Sequence, residues 1–222
     1  MQGGASALLH LWRHTCDTAG ASLVLPDGCL DLIGLQRPGQ APCWKISNLM
    51  DHAERVSAPA GTRYLGYRMK AGAQINLGQL LKAINGLELD DTSRVMDRLT
   101  ETVRLDPRLS EALLALSEER NVQAAIKQLG VSERRLQRLL RATTGRPPVY
   151  WKRLARLRQT ARELDGNTSL AHLAHDHGYA DQAHMNLEFR HWLGLTPLQV
   201  RAQPPLLGLL AEPGHGTWPA RP

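Results

Sequence analysis

The pattern of apolar and polar positions divides the chain into a strand-like part followed by a helical part. Between Ser22 and Met69, short apolar runs are separated by Pro and Gly, and the turn at Pro26-Asp27-Gly28 lies between two runs of a predicted hairpin. From residue 74 onward, apolar positions recur every three or four residues, which is the spacing of a helix with one buried face. The pattern predicts an α+β chain, with a small β-rich N-terminal domain followed by an all-α domain.

Changes in this pattern give the predicted domain boundaries. Asp106 and Pro107 combine a helix N-cap with a proline at the first helical position, so a new helical domain is expected to begin there. Beyond Gln203 the sequence is rich in Pro and Gly, which favours a disordered tail. We therefore predict a β-rich domain at 1–73, a helical linker region at 74–105, a helical domain at 106–203 and a flexible tail at 204–222.

Two amphipathic helices separated by a glycine are predicted at residues 121–141. Apolar residues recur at helical spacing from Val122 to Leu129, Gly130 ends this helix, and Ser132 is a natural N-cap for the next one. The second helix buries leucines and carries on a different face a polar stripe of Arg134, Gln137, Arg138 and Arg141. A solvated charged face is the simplest interpretation of such a stripe in an arbitrary helix. The preceding helix and glycine turn favour a helix-turn-helix unit instead, because Arg and Gln recognise guanine and adenine in the major groove.

The same plan returns later in the chain. At an offset of 49 residues, the matched pairs are Ser132 with Asp181, Leu136 with Met185, Leu140 with Phe189, Gly145 with Gly194, and Pro148 with Pro197. Upstream of the turn the offset is 48, which implies one extra residue in the second turn. Residues 148–164 have helical spacing and would form a connecting helix of roughly 25 Å. The sequence thus predicts two helix-turn-helix units joined by a helix, which could reach successive major grooves about 34 Å apart.

The charge and the cysteine content of the chain indicate which binding partners and sites to expect. The formal net charge is +6, and residues 132–158 carry nine basic side chains against the single acid Glu133, which favours a polyanion such as double-stranded DNA. The three cysteines form no CxxC pair, so neither a disulfide framework nor a thiolate zinc site is expected. No secretion signal or membrane span is recognisable, and we expect a cytoplasmic protein with no membrane partner.

The residues of the two predicted units resemble the AraC/XylS family of transcriptional regulators. The similarity runs from about Asn121 to Arg201 and is carried by "LGVSERRLQRLLRATTG" and "HGYADQAHMNLEFRHWLGLTPLQVR". In addition, "LPDGCLDLI" and "YLGYRMKAGA" resemble the sensor portion of one subgroup of the family. The resemblance implies a DNA-binding domain of two helix-turn-helix units and a β-rich, sensor-like N-terminal domain.

The resemblance also implies which side chains contact DNA. They are Arg134, Gln137 and Arg138 in the first recognition helix, and Gln182, Ala183, Asn186 and Leu187 in the second. We add Arg135 and Arg141 to the first set, and His184 and Arg190 to the second. Since Ala183 and Leu187 stand where the first unit has arginines, we predict that the first unit supplies most base discrimination. The second is expected to bind more weakly, through Asn186, Arg190 and thymine methyls near Leu187.

The leading hypothesis is a sequence-specific DNA-binding regulator that responds to an effector through its N-terminal domain. A small-molecule effector and a second copy of the chain are candidate partners, and RNA polymerase is expected to be one if the protein activates transcription. No catalytic motif is recognisable, so we expect no enzyme activity, no cofactor and no metal, although the histidines from His172 to His191 invite a metal hypothesis. Trp12, Trp44 and Tyr67 could line a ligand pocket or form core. The alternative function is a DNA-repair methyl acceptor that uses a cysteine with the same DNA-binding module.

Overall fold

The structure is a computed structural model that describes residues 7–164 and 166–217. It divides into two compact units. Unit 1 comprises Met1–Val24, Cys29–Leu49 and Arg55–Asp106, and unit 2 comprises Leu25–Gly28, Met50–Glu54 and Pro107–Pro222. The β-rich N-terminal region and the helical C-terminal region predicted from the sequence are confirmed.

Unit 1 is built on an antiparallel sheet. The strands are β1 (Leu8–Thr15), β2 (Gly20–Val24), β3 (Leu30–Gln36), β4 (Cys43–Ile46), β5 (Glu54–Ala58), β6 (Arg63–Met69), β7 (Gln74–Ile75) and β8 (Val103–Arg104). Four of them form a sheet in the order β1-β6-β3-β4, while β2 pairs with β5 and β7 pairs with β8. The hairpin predicted around Pro26-Asp27-Gly28 is therefore wrong, because the strands on either side of this turn, β2 and β3, pair in different sheets. In the four-stranded sheet, β6 lies between β1 and β3, so its residues are paired on both sides.

Two helices complete the core of unit 1. Helices α1 (Leu77–Ile84) and α2 (Thr92–Thr102) bury Leu80, Ile84 and Val95 in one cluster with Leu32 and Tyr67 of the sheet. Residues 74–105, which the sequence predicts to be a linker region, therefore share the apolar core of the strands. The apolar spacing in this stretch matches that of any amphipathic helix, and the spacing does not identify the surface that the helix covers.

The tryptophans of the sheet lie against glycines. Trp12 is paired across the strands with Gly66, where an added Cβ would lie 1.9 Å from the indole ring. Trp44 is paired with Gly34, where a Cβ would lie 2.8 Å from the ring, and its Nε1 donates a 3.1 Å hydrogen bond to the carbonyl of Leu87. These two indoles are packed against the backbone, and Tyr67 is fully buried in the core. A ligand-binding role for the three aromatic residues stays a prediction.

Unit 2 is helical. Its helices are α3 (Pro107–Glu118), α4 (Val122–Leu129), α5 (Glu133–Thr144), α6 (Pro148–Arg162), α7 (Leu170–Asp176), α8 (Gln182–Leu193), α9 (Pro197–Arg201) and α10 (Pro204–Ala211). The central helix α6 contacts α3, α4, α5, α8 and α10. Its fully buried Trp151, Leu154 and Leu157 explain this position, because apolar residues occupy several faces of the helix. In neither unit is any described helix long and apolar enough to span a bilayer.

The end of the chain corrects one expectation. Residues 204–217, predicted to belong to a flexible tail, form α10 and a short segment in which His215 and Thr217 are buried. Leu206 and Leu210 are buried on one face of α10, and Arg158 donates hydrogen bonds to the carbonyl of Glu212 and to Thr217 Oγ1. The Pro and Gly content suggested disorder, whereas contacts with residues more than fifty positions earlier hold the segment in place. Residues 218–222 of the predicted tail lie outside the described residues.

Candidate nucleic-acid interface

The first helix-turn-helix unit is formed by α4 and α5. Asn121 caps α4 by accepting a 2.9 Å hydrogen bond from the amide of Ala124, and Gly130 ends the helix with a left-handed φ of 61°. Only Val131 separates Gly130 from Ser132, whose Oγ accepts from the amide of Arg135 at the start of α5. The turn is therefore fixed by Gly130 and Ser132, the two residues that the sequence analysis assigned to its ends.

Helix α5 has one buried face and one basic face. Leu136 and Leu140 are buried, whereas five side chains predicted to contact DNA are exposed: Arg134, Arg135, Gln137, Arg138 and Arg141. Within 7–164 and 166–217, these four arginines have no ion-pair partner. Their guanidinium groups present hydrogen-bond donors to solvent in a geometry that matches guanine edges and phosphates.

Glu133 organises the start of this face. Its carboxylate accepts hydrogen bonds from the side-chain amides of Gln123 on α4 and Gln137 on α5, each at 3.3 Å. The contact leaves the carbonyl oxygen and one amide proton of Gln137 for another partner. Sequence reasoning counted Glu133 only as an acid within a basic region, although its spacing of four residues from Gln137 is a helical-neighbour signal.

The second unit, formed by α7 and α8, repeats the plan with a longer turn. Ser169 caps α7, and Asp181 caps α8 by accepting a 2.7 Å hydrogen bond from the amide of His184. Gly178 has a left-handed φ of 70°, and the two residues that follow it before the cap include the buried Tyr179. The extra turn residue expected from the change of offset is present.

The outer face of α8 differs from that of α5. Gln182, Ala183, Leu187 and Arg190 are exposed, and Leu187 has 64% of its surface accessible. Asn186 is half-buried. His184 is held within the unit, because its Nδ1 accepts a 3.2 Å hydrogen bond from the amide of Ala180 and its ring meets Tyr179 edge to face. The predicted second site therefore presents amides, aliphatic carbon and one arginine.

Helix α6 connects the two units. Its 15 residues rise about 22 Å along the axis. Arg153 Nε donates to both carboxylate oxygens of the buried Glu188 on α8 at 2.9 Å, and Arg156 donates to the carbonyl of Gly178 while its guanidinium lies 4.3 Å from the centre of the Tyr179 ring. These contacts attach the second unit to the connecting helix.

The basic charges of residues 146–158 are consequently used inside unit 2. Arg146 forms a 2.8 Å ion pair with Asp51, Lys152 donates to the carbonyl of Glu119, and Arg158 is 1% exposed. Burial, reinforced by Arg156, lowers the pKa of Lys152 to about 8. The nine basic residues counted at 132–158 therefore do not form one external field, and the four arginines of α5 are the part of that set that faces solvent unpaired.

Glu188 is a residue that sequence reasoning missed. It occupies the position in α8 that Leu139 occupies in α5, at the offset of 49. It is 8% exposed and lies near Arg153, Arg156 and His184. An acid at a position where the repeat has a leucine was the available signal, since a buried carboxylate requires a cationic partner.

The histidines and cysteines are placed apart. His172, His177 and His184 each lie near a different acid, namely Asp176, Glu163 and Glu188. No cluster of three metal-ligating side chains occurs in the part of the chain that the structure describes. Cys16 and Cys29 are buried, Cys43 is exposed, and Cys16 Sγ lies 3.7 Å from His14 Nε2.

Comparison with known proteins locates the same region. A family model described as a helix-turn-helix domain matches residues 125–203. Proteins of Streptomyces lividans and Streptomyces antibioticus, both named as AraC-like transcription regulators, are each 30% identical over 104 residues. That alignment covers 45% of this chain, and the chain spans 34% of the length of those relatives.

Solved structures of ToxT from Vibrio cholerae are also similar in part. An apo ToxT variant from strain SCE256 aligns with a TM-score of 0.44 and 8% identity over 90% of this chain and 99% of its own. A second ToxT structure aligns with a TM-score of 0.42 and 10% identity, over 87% and 97% respectively. The family model covers most of the two capped helix-turn-helix units formed by α4 with α5 and by α7 with α8. Residues 125–203 form a helix-turn-helix domain, and the chain is similar over part of its length to proteins named as AraC-like transcription regulators.

Proposed function

We propose that this protein is a transcriptional regulator that binds double-stranded DNA in a sequence-specific manner. The observation that carries the proposal is the outer face of α5, where four arginines and a glutamine are exposed and the arginines have no ion-pair partner among residues 7–164 and 166–217. Such a face on the second helix of a helix-turn-helix unit has the chemistry for base edges and phosphates of the major groove. Among the described residues of unit 2, none forms an ion pair with these arginines, so their charges are available for DNA.

In this proposal α5 and α8 both enter the major groove, and they contribute unequally. Arg134, Gln137 and Arg138 supply base contacts from α5, while Arg135 and Arg141 bind phosphates. On α8, Gln182, Ala183, Asn186 and Leu187 face the bases, and His184 and Arg190 lie toward the backbone. The greater number of exposed cations on α5 supports its larger share of the affinity.

The direct test is selection of bound fragments from random DNA by the full chain, followed by affinity measurement at several salt concentrations. A specific motif should be enriched, and log K should fall linearly with log salt, by about 0.9 for each phosphate neutralised. Failure to enrich any motif, or an affinity indifferent to salt, would contradict the proposal.

The unequal contribution has its own test on the selected site. We expect Arg138→Ala to weaken binding by about 1–3 kcal/mol, because a bidentate Arg contact with guanine is lost. Asn186→Ala should cost less on the same DNA. A larger loss for Asn186→Ala than for Arg138→Ala would show that the assignment of roles is wrong.

The β-rich unit is proposed to sense an effector or to mediate self-association. What supports this role is that the strands and helices of unit 1 share an apolar core. Thermal unfolding of the protein against a panel of metabolites would detect an effector by a concentration-dependent rise in Tm. Sedimentation of the protein with and without its DNA site would show whether it binds as a dimer, and RNA polymerase is a further partner if it activates transcription.

The methyl-acceptor alternative depends on an activated, accessible cysteine. Cys43 is exposed, whereas Cys16, which lies beside His14, is buried. No cysteine among the described residues therefore combines both properties, and the regulator is the function that we favour. Mass spectrometry after incubation with methylated DNA would reveal the alternative as a methyl group added to a cysteine.

A further inference from the structure

The two recognition helices correspond position by position. Both α5 and α8 have 12 residues, and each begins after a side-chain cap, Ser132 or Asp181, that accepts from the amide three residues on. Each ends at a glycine in the left-handed region, Gly145 with a φ of 72° and Gly194 with a φ of 71°. Since caps and ends coincide at an offset of 49, residues at that offset occupy equivalent places on the two helices.

Some equivalent positions keep their chemistry, and three of the four arginine positions of α5 lose it in α8. Gln137 corresponds to Asn186, and Arg141 to Arg190, so an amide and a terminal cation recur. In contrast, Arg134 corresponds to Ala183 and Arg138 to Leu187. Two of the three replaced arginines lie one helical turn apart, at positions where α8 has aliphatic side chains, while the third corresponds to the half-buried His184.

Leu187 is exposed in a way that the fold does not require. With 64% of its surface accessible, it is among the most exposed large apolar side chains of the described chain. Arg153 and Arg156 of α6 do not replace the missing arginines, because they are turned toward the buried Glu188 and the Tyr179 ring. The outer face of α8 is accordingly suited to contact an apolar group, with the side-chain amides of Gln182 and Asn186 next to that contact.

The apolar group that the major groove presents is the C5 methyl of thymine, and the base that pairs with the side-chain amide of Asn or Gln is adenine. We propose that the DNA site consists of two half-sites of opposite composition: a guanine-containing half bound by α5, and an A·T-rich half bound by α8. In the second half, Ala183 and Leu187 contact thymine methyls and Asn186 pairs with adenine. This inference rests on the proposed function and adds the base composition that each helix selects.

A graft between the helices tests the inference. Selection with the full chain should yield a motif with one guanine-containing and one A·T-rich half. The variant Ala183→Arg with Leu187→Arg should then change the A·T-rich half toward G·C and leave the other half unchanged. As a matched control, Val149→Arg with Leu198→Arg adds the same two charges at exposed apolar positions of α6 and α9, and should leave base preference in both halves unchanged.

A second measurement needs no protein variant. Replacing thymine by uracil removes the C5 methyl, and we expect roughly fourfold weaker binding for each contacted methyl in the A·T-rich half. The same replacement in the guanine-containing half should have little effect. With Leu187→Ala, the loss caused by uracil should shrink, because the methyl then has no apolar partner.

The outcomes separate the two proposals. Enrichment of no motif would overturn the DNA-binding function itself. Enrichment of a motif that has guanine in both halves, or binding that is insensitive to uracil, would leave that function standing and overturn the half-site inference. If the graft fails to fold, as judged by circular dichroism, the uracil measurement on the unmodified protein decides.

Discussion

Helices α5 and α6 have similar densities of positive charge in the sequence and opposite uses of it in the structure. On α5, Arg134, Arg135, Arg138 and Arg141 are exposed and lack ion-pair partners among the described residues. On α6, four of the five basic side chains, Lys152, Arg153, Arg156 and Arg158, donate to acceptors within unit 2, and Arg162 at the end of the helix is exposed. The lesson is that a local count of basic residues measures a potential for binding DNA, and the packing of each helix decides how much of that potential reaches the surface.

The difference follows from how many faces each helix buries. Helix α5 buries Leu136 and Leu140 on one face, so its arginines lie in solvent. Helix α6 is surrounded, and its long basic side chains pass between neighbouring helices to reach carbonyls and Glu188. Cations of α5 should therefore determine DNA binding, and cations of α6 should determine stability.

The largest expected effect is on stability, at Arg158. Its guanidinium is 1% exposed and donates to the carbonyls of Pro26 and Glu212 and to Thr217 Oγ1. Arg158→Met should lower the free energy of unfolding by about 3 kcal/mol, because buried acceptors lose a charged donor. Urea denaturation provides the measurement.

The matched control is Arg134→Met on α5, which should change that free energy by no more than about 0.5 kcal/mol. Equal losses for the two variants would abolish the distinction between the helices.

The next largest effect is expected at Glu188, the carboxylate that neutralises Arg153 and Arg156 of α6. Glu188→Gln removes the partner of Arg153 and Arg156, and should cost about 2 kcal/mol, below the range for fully enclosed pairs because Arg153 is 34% exposed. Glu133→Gln, on the exposed start of α5, should leave the unfolding midpoint almost unchanged. A stable Glu188→Gln protein would mean that the cations of α6 do not need this carboxylate.

These assignments show which features of the sequence carry over into the fold. The caps Ser132 and Asp181 and the glycine ends were predicted, because they depend on local backbone geometry that a few residues determine. The burial of Glu188 and of His215 was not, because each depends on residues that are distant in the chain. The same reason explains why the order of residues 204–217 was not predicted. Their composition favoured disorder, whereas the hydrogen bond from the distant Arg158 to the carbonyl of Glu212 holds the segment in place.

Low pH should destabilise the folded protein through His215, whose ring packs against Trp151 of α6. This residue is buried, its Nε2 donates to the carbonyl of Trp151 at 3.0 Å, and burial lowers its pKa to about 3 from an ordinary value of 6.5. Between those values the unfolded chain binds a proton that the folded protein does not. The free energy of unfolding should thus fall as pH falls from 6.5 toward 3, by at most about 1.4 kcal/mol per pH unit.

Unfolding measured across that pH range should show the decline, and His215→Gln should reduce its slope. His191→Gln, at an exposed position of α8, is the control and should leave the slope as it is. A slope that is the same with and without His215 would contradict the assignment.

The smallest effect, and the most direct comparison of the two helices, is in the salt dependence of DNA binding. A cation that neutralises a phosphate releases counterions, and its removal lowers the slope of log K against log salt by about 0.9. Arg141→Ala should show this reduction, because the side chain is exposed near the end of α5 and no described residue forms an ion pair with it. Arg153→Ala removes the same formal charge from α6, where it is already neutralised by Glu188, so the slope should stay the same wherever the variant remains folded. If Arg153→Ala changed the slope as much as Arg141→Ala does, Arg153 would have to act on the DNA phosphates despite its ion pair with Glu188. The total charge of the two helices would then predict DNA binding better than the exposure of each side chain does.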